Sequence, residues 1–311
     1  MNVYPKCARS FMELISSDGR LLNKFIINKI KNVKPFDVTL RDGLQSLTNE
    51  EQLAFKTDDK KFLYNYITQN YHVKNLEIGS CVNNKILPIF NDTEELFNYT
   101  KLKNKNINNY ILVPNYEQLL NAIQIGAKNF SFITSVSNSF QMKNTKMTIE
   151  QSYNEIHNMM VFLDDSPLKD YNIKLYVSCI SKCPIEGNIK INTIVNNLVK
   201  LHKLRPDKLC LSDTCGELQP VQLYNIIQGL IFNKLDLSRF SLHLHVKPER
   251  ELEVEKLFHL ALDHGINEFD VSYLKSGGCS LTMDKNKIAP NMSYDQYYKF
   301  LTTYLINNDN L

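Results

Sequence analysis

Eight short runs rich in β-branched and aromatic residues alternate along this chain with eight longer amphipathic stretches. The runs are FDVTL (36–40), VKNLEIG (73–79), NNYILVP (108–114), NFSFITS (129–135), IKLYVSC (173–179), DKLCLSD (207–213), FSLHLHV (240–246) and INEFDVS (266–272). The amphipathic stretches lie near residues 50–70, 92–103, 115–125, 148–165, 189–203, 219–232, 249–264 and 293–306. This alternation predicts an α/β fold with a parallel sheet, and eight repeats close into a (β/α)₈ TIM barrel. A doubly wound open sheet is the alternative, although TLRDGLQS is not the glycine-rich loop that usually follows its first strand.

The domain organisation follows from the same pattern. Residues 1–32 precede the first strand and are interpreted as an N-terminal extension or capping segment. Residues 33–311 contain no linker and are predicted to form one barrel domain with a catalytic function.

Composition narrows the class of protein. A hydrophobic fraction of 43% and a charged fraction of 22% are ordinary for a soluble globular protein. The net charge of +3 gives no reason to expect a nucleic-acid partner, and no apolar stretch approaches the ~20 residues that a membrane-spanning helix needs. The seven cysteines lack paired CxxC spacing and are interpreted as reduced thiols. The N-terminus lacks an apolar signal core, so a cytoplasmic location is expected, with organellar targeting left open.

Two histidines lie one residue apart in SLHLHVK (241–247). In a strand, positions i and i+2 share a face, so His243 and His245 are predicted to point the same way, with Leu242 and Leu244 on the other side. The pair fits an edge strand facing water, and it also fits a metal site, since imidazole is a common metal ligand. The spacing alone leaves both readings open.

Polar side chains gather where the predicted strands end, which is where the active site of such a barrel forms. These residues are Arg41, Asp42, Glu77, Ser178, Cys179, Asp213, Thr214, His243 and His245, with Gly277, Gly278 and Cys279 after the last strand. Polar groups converging from five strands on one rim predict an active site there.

Five motifs stand in one order along the chain. They are DVTLRDGLQS (37–46), YVSCISKCPIEG (176–187), LSDT (211–214), HLH (243–245) and GGC (277–279). This ordered set resembles the 3-hydroxy-3-methylglutaryl-CoA lyase family of the DRE-TIM metallolyases, from about residue 35 to the last predicted helix. Related synthases typically have Glu where this chain has Leu44, and they lack the cysteine-bearing glycine loop. The sequence DVTL before Arg41 is closer to the corresponding sequence of the synthases.

The resemblance implies a metal site and a reaction. The implied ligands of a divalent cation, Mg²⁺ or Mn²⁺, are Asp42, His243, His245 and Asn291. The implied reaction cleaves an acyl-CoA substrate to acetoacetate and acetyl-CoA. Arg41 would stabilise the thioester enolate, Asp42 would act as base, and Cys279 would protonate the enolate carbon from a mobile glycine loop. Glu77 and Asp213 would orient Arg41 and bound water.

The chain departs from the family pattern after the His-x-His motif. The family usually continues with Asp-Thr and a glycine-containing turn, whereas this chain reads Val246-Lys247-Pro248-Glu249-Arg250. The loop from Cys279 to Asn291 is also longer than usual. Two alternatives therefore stay open: a related aldolase or synthase on another hydroxy acid or acyl-CoA, and a diverged, non-catalytic metal-binding barrel. A homodimer is a further possibility, because the helical ring of such barrels often dimerises.

Overall fold

Eight parallel strands close into a barrel. The computed structural model describes residues 32–71, 73–82, 85–167, 170–278, 283 and 288–309. The barrel strands are β1 (Lys34–Asp37), β2 (Asn75–Ser80), β3 (Asn108–Leu112), β4 (Asn129–Ser135), β5 (Asn172–Ser178), β8 (Lys208–Asp213), β9 (Phe240–Leu244) and β10 (Glu268–Val271). Around the barrel they follow the order β1-β10-β9-β8-β5-β4-β3-β2. A two-stranded antiparallel hairpin, β6 (Lys182–Cys183) and β7 (Gly187–Asn188), follows β5. The predicted (β/α)₈ barrel is confirmed.

The helices connect consecutive strands. They are α1 (Asn49–Ala54), α2 (Thr57–Asn70), α3 (Thr93–Lys103), α4 (Tyr116–Gln124), α5 (Asn138–Thr145), α6 (Ile149–Asp165), α7 (Ile191–His202), α8 (Pro220–Phe232), α9 (Glu251–Asp263) and α10 (Tyr294–Asp309). Within the described part of the chain, no helix combines the length and the apolar character needed to span a membrane. Most of the predicted N-terminal extension, residues 1–31, lies outside the described residues, so the domain boundary stays a prediction.

Local sequence explains where several helices begin. The side chain of Thr48 accepts a hydrogen bond from the Glu51 amide at the start of α1, and Thr148 does the same for Gln151 at the start of α6. Each pair forms a capping box, in which the side chain of the third helical residue accepts a hydrogen bond from the amide of the cap residue.

Two different interiors stabilise the barrel. Alternate side chains of each strand point outward and pack under the helices in one large apolar cluster, to which Leu242 and Leu244 of β9 belong. The lumen is more polar. Lys174 of β5 forms ion pairs with Glu268 and Asp270 of β10, and β5 and β10 lie three strands apart in the barrel order. These contacts therefore cross the lumen.

The structure differs from the predicted elements at three places. The first strand ends at Asp37 rather than at residue 40, because Thr39–Gly43 forms a π-helical turn. The stretch 50–70 divides into α1 and α2. Helix α5 and the β6–β7 hairpin carry no clear periodic pattern and are additions to the predicted set.

Candidate metal centre

Asp42, His243 and His245 meet at one mouth of the barrel. One donor atom from each side chain lies within 4.8 Å of the other two, and all three residues are buried. The two Nε2 atoms of His243 and His245 are 3.2 Å apart, and His243 Nε2 is 3.8 Å from Asp42 Oδ2. Two imidazoles and a carboxylate thus face a common point.

Strand β9 and the bridge after it aim both histidines inward. The backbone of His245 forms an isolated antiparallel bridge with Asn291, and the amide of Val246 donates to the carbonyl of Pro290 at 2.8 Å. His243 and His245 keep the two-residue period of the strand, so their rings share the lumen face. The segment containing Asn291 is thereby joined to the end of β9.

The π-helical turn after β1 positions Arg41 and Asp42. The amides of Arg41 and Gly43 both donate to the carbonyl of Val38, at 3.2 and 3.1 Å, which closes the turn. Asp37 accepts hydrogen bonds from the amide and the hydroxyl of Thr39, at 2.9 and 2.8 Å. A continued strand would send Arg41 and Asp42 to opposite faces, whereas the turn leaves both at the cavity.

Arg41 is fixed by two carboxylates and an aromatic ring. Its Nε donates to Glu77 Oε2 at 2.6 Å, and one terminal nitrogen donates to Asp42 Oδ1 at 2.7 Å. Its guanidinium carbon lies 5.2 Å from the centre of the Tyr176 ring, whose hydroxyl donates to Glu77 at 3.3 Å. Burial by itself would lower the pKa of Arg41, but Glu77 and Asp42 raise it well above its usual value. The site therefore contains a guanidinium group that stays positively charged and has a fixed orientation.

Asn291 completes the group of candidate ligands. Its Nδ2 donates to Asp42 Oδ2 at 2.9 Å, while its Oδ1 is buried without a hydrogen-bond partner among the described residues. The amide of Gly278 donates to the same Asp42 oxygen at 2.9 Å. A buried amide oxygen without a partner is unfavourable by about 1–3 kcal/mol, so it is suited to accept a cation.

The charges of these residues fit a divalent cation. Burial would raise the pKa of Asp42, but Arg41 and the two histidines hold it well below its usual range. Burial and the neighbouring His243 lower the pKa of His245 to about 4, so its ring is neutral near pH 7. An anionic carboxylate, two imidazoles and a free amide oxygen form a mixed nitrogen and oxygen donor set of the kind that suits Mg²⁺ or Mn²⁺.

A cavity opens at this mouth and has two kinds of wall. Its polar side includes Arg41, Asp42, Tyr176, Ser178, Ser212, Thr214, His243 and His245. Its apolar side includes Val82, Leu87, Leu112, Ile133 and Phe140. A cavity lined by both polar and apolar side chains suits a ligand with a charged or oxygen-rich end and a hydrocarbon part.

The other predicted catalytic residues divide into three cases. Glu77 contacts Arg41 directly and accepts a hydrogen bond from its Nε. Asp213 instead accepts hydrogen bonds from the Ser181 hydroxyl and from the amides of Glu217 and Leu218, so it anchors the loop after β8 rather than Arg41. Burial raises its pKa. Cys279 lies outside the described residues, directly after Gly278.

Sequence reasoning missed Tyr176 and Asp270 as members of the site. Tyr176 is two residues before Ser178, so the strand period could have placed it on the lumen face. Asp270 Oδ2 is 2.9 Å from His243 Nδ1, a contact between β10 and β9. The sequence placed Asp270 in the predicted strand INEFDVS, but it did not indicate that His243 would be the contact of this side chain.

The altered rim after His245 forms its own network. Val246 is buried in the apolar cluster. The side chain of Lys247 bonds to Glu217 at 3.2 Å, and Arg250 donates to the carbonyls of Gly216 and Leu218. These residues tie the loop after β9 to the loop after β8.

Known structures resemble this fold closely. Hydroxymethylglutaryl-CoA lyase from Pseudomonas aeruginosa aligns with a TM-score of 0.76 at 21% identity, over 88% of this chain and 86% of that one. An HMG-CoA lyase from Acinetobacter baumannii, solved in complex with coenzyme A and 3-methylmalate, aligns with a TM-score of 0.73 at 24% identity, over 89% and 83% of the two chains. At these identities the likeness establishes the fold.

Sequence comparison identifies the family. The chain is 26% identical over 249 residues to hydroxymethylglutaryl-CoA lyase YngG of Bacillus subtilis (strain 168), covering 80% of this chain and 79% of that protein. It is also 26% identical over 249 residues to the mitochondrial hydroxymethylglutaryl-CoA lyase of Homo sapiens, covering 80% and 73%. Residues 32–250, well over half of the chain, match the HMGL-like family. The resemblance carried by the five motifs is thereby confirmed, and the chain belongs to the HMGL-like family as a divergent relative of the hydroxymethylglutaryl-CoA lyases.

Proposed function

We propose that this protein is a divalent-metal-dependent carbon–carbon lyase that cleaves 3-hydroxy-3-methylglutaryl-CoA, or a close analogue, to acetoacetate and acetyl-CoA. The observation that carries the proposal is the meeting of Asp42, His243 and His245 beside the fixed guanidinium of Arg41. Asp42, His243, His245 and Asn291 would hold the cation. Bound Mg²⁺ or Mn²⁺ would polarise the hydroxyl and carboxylate oxygens of the substrate.

The reaction needs a fixed positive charge where the enolate forms. When the bond between carbons 2 and 3 of the substrate breaks, its electron pair passes into the thioester as an enolate. Arg41 suits the enolate oxygen because it stays charged and donates directionally. Its ion pairs with Glu77 and Asp42 fix it before the substrate arrives, so little reorganisation accompanies the reaction.

Two proton transfers complete the reaction. The substrate hydroxyl loses its proton to a base, for which Asp42 is the candidate. The enolate carbon gains a proton from an acid, for which Cys279 is the candidate, since it is the next residue in the sequence after Gly278, whose amide contacts Asp42. The two steps balance, because one proton leaves the hydroxyl oxygen and one enters the carbon of acetyl-CoA.

An acyl-CoA substrate fits the two walls of the cavity. The carboxylate and hydroxyl of the acyl group would match the polar lining residues, and its methyl group would match apolar ones such as Leu112 and Phe140. The A. baumannii relative with coenzyme A bound supports the same substrate class. A related substrate with another alkyl group would meet the same walls, so the test includes a panel.

The test measures product release by the purified protein. We expect acetoacetate and acetyl-CoA in equal amounts from 3-hydroxy-3-methylglutaryl-CoA with Mg²⁺ or Mn²⁺, and none after EDTA. A panel of other 3-hydroxyacyl-CoA and 2-hydroxy acid substrates identifies a relative with a different substrate. Absence of metal-dependent cleavage across the whole panel would overturn the proposal.

A matched pair of variants tests the site itself. His245→Ala removes an imidazole from the cluster, so we expect loss of both Mn²⁺ binding and turnover with the fold retained. His157→Ala makes the same change at an exposed position on α6 and is expected to keep both. Unchanged Mn²⁺ affinity of His245→Ala by calorimetry would exclude His245 as a ligand.

A further inference from the structure

A continuous chain of buried polar groups leads from the lower lumen to the candidate metal centre. Lys174 Nζ is 3.1 Å from Glu268 Oε1 and also pairs with Asp270 Oδ1. The other oxygen of Asp270 lies 2.9 Å from His243 Nδ1. Lys174 and Asp270 are each 1% exposed. Asp270 therefore pairs with the ammonium group of Lys174 through one oxygen and contacts the candidate ligand His243 through the other.

A gain in the stability of the fold does not readily explain why these charged groups are buried together. Taking a lysine and two carboxylates out of water is unfavourable, and apolar residues of similar size often stabilise a protein equally well. The ring of Phe36 packs against Lys174, with its centre 3.4 Å from Nζ, which further encloses the ammonium group in the lumen. The charge of Lys174 keeps a buried Asp270 anionic, and an anionic carboxylate only accepts hydrogen bonds.

The acceptor role of Asp270 determines the tautomer of His243. Because both oxygens of Asp270 only accept, Nδ1 of His243 must donate its proton, and Nε2 is left with a lone pair. Nε2 is the atom that faces His245 and Asp42. A histidine that binds a metal through one nitrogen needs this state, and a carboxylate on the other nitrogen fixes the ring and raises its basicity.

We propose that Asp270, held as an anion by Lys174, is a positioning residue that presets His243 for the divalent cation. The proposal rests on the metal site of the proposed function and goes beyond it, because it assigns a role to two residues of the lumen that lie outside the ligand set. Glu268 belongs to the same ion-pair network but has no contact with His243 among the contacts of the described residues. It therefore provides a matched control.

The experiment compares Asp270→Asn with Glu268→Gln. Each substitution removes one negative charge from the Lys174 network, but only the first reaches His243. An asparagine can turn its NH₂ group toward Nδ1, which favours the tautomer with the proton on Nε2. We expect Asp270→Asn to bind Mn²⁺ about 10–100-fold more weakly than wild type, and Glu268→Gln to bind it as wild type does, by titration calorimetry.

A second measurement needs no metal. In protein labelled with ¹⁵N-histidine, the shifts of His243 in wild type and in Glu268→Gln are expected to report a proton on Nδ1. In Asp270→Asn we expect a shift toward the tautomer with the proton on Nε2. A purely structural role for Asp270 would lower the melting temperature without changing the tautomer.

The outcomes separate the two proposals. If wild type fails to bind Mn²⁺, the proposed metal site is wrong. If wild type binds it and Asp270→Asn binds equally well, or if Glu268→Gln loses as much affinity, the positioning role of Asp270 is overturned.

Should Asp270→Asn fail to fold, the double variant Lys174→Met with Asp270→Asn removes the buried ammonium group together with the one of its two carboxylate partners that contacts His243. The same loss of Mn²⁺ affinity is expected there, and wild-type affinity would overturn the proposal.

Discussion

At the scale of single residues, His243 in β9 and His245 directly after it show how the structure decides between two interpretations of one spacing. Their two-residue period fits a solvent-facing edge strand equally well. However, β9 is paired on both sides, with β8 and β10, so it is not an edge strand. His243 and His245 are 5% and 4% exposed. Buried imidazoles need partners. Asp270 lies against Nδ1 of His243, and the Nε2 atom of His243 faces His245 and Asp42.

The role proposed for Cys279 gives a prediction at this scale. Because a hydroxyl is a much weaker acid than a thiol, whose ordinary pKa is about 8.5, Cys279→Ser should lose about 10²–10⁴-fold in turnover. Mn²⁺ affinity should stay at the wild-type value. Steady-state kinetics and calorimetry measure the two quantities.

Cys81→Ser is the control for this change, since Cys81 is a half-buried free thiol after β2. It should keep wild-type turnover. Alkylation of the Cys81→Ser protein should still inactivate it, and bound substrate should protect it. Full turnover in Cys279→Ser on the true substrate would contradict a role for the thiol as the acid.

At the scale of elements, the segment after β10 is held against the ligand residues by short contacts. Ser276 donates to the carbonyl of Gly43 at 2.7 Å, and Gly278 donates to Asp42. Gly277 has a φ of +153°, and a Cβ built there would lie 2.4 Å from the Asn291 side chain. Glycine at 277 is therefore required by the position of Asn291 as well as by the backbone.

Gly277→Ala should accordingly weaken the metal site through this segment. The added methyl group must displace Asn291, so we expect Mn²⁺ affinity to fall at least about 10-fold and the melting temperature to fall as well. Gly265→Ala is the control, because Gly265 has a φ of +85° and open space around its Cβ position. It should lower the melting temperature and leave Mn²⁺ affinity unchanged. Equal affinities in the two variants would exclude Asn291 from the cation site.

At the scale of the whole molecule, buried carboxylates connect distant parts of the chain. Asp37 at the end of β1 accepts a hydrogen bond at 2.8 Å from the hydroxyl of Tyr294, the first residue of α10. This contact links the first barrel strand to the last helix. Burial, together with the charge of Asp270, raises the pKa of Asp37 to about 7, although the hydrogen bonds from Thr39 and Tyr294 oppose the shift.

Global stability should therefore depend on pH through Asp37. The folded state keeps a proton on Asp37 up to about pH 7, whereas the unfolded chain releases it near the ordinary value of 3.8. The stabilisation from the protonated form is thus complete below pH 4 and is lost as pH rises to 7. An asparagine at this position does not titrate. The free energy of unfolding of Asp37→Asn, relative to that of wild type, should therefore rise by ~1.4 kcal/mol per pH unit between pH 5 and 7. Urea unfolding from pH 5 to 8 measures this, and parallel curves for the two proteins would contradict it.

The amino-acid sequence alone determined the alternation of elements, and with it the barrel. Strand and helix periods are local properties, so β4 was predicted with its observed bounds and α6 within one residue. The order of strands along the chain also predicts which ends meet at one rim. Arg41, Asp42, Glu77, His243 and His245 could be assigned to a common site for that reason.

Only the tertiary structure decided which of these groups contact one another. The bonds from Tyr176 to Glu77 and from Lys174 to Asp270 join strands three places apart across the lumen. Such contacts depend on the stagger and tilt of all eight strands, which no local period encodes. Asp213 also ends a strand at this rim, but its carboxylate accepts hydrogen bonds from nearby backbone amides. A buried carboxylate needs hydrogen-bond donors, and these amides are close to it.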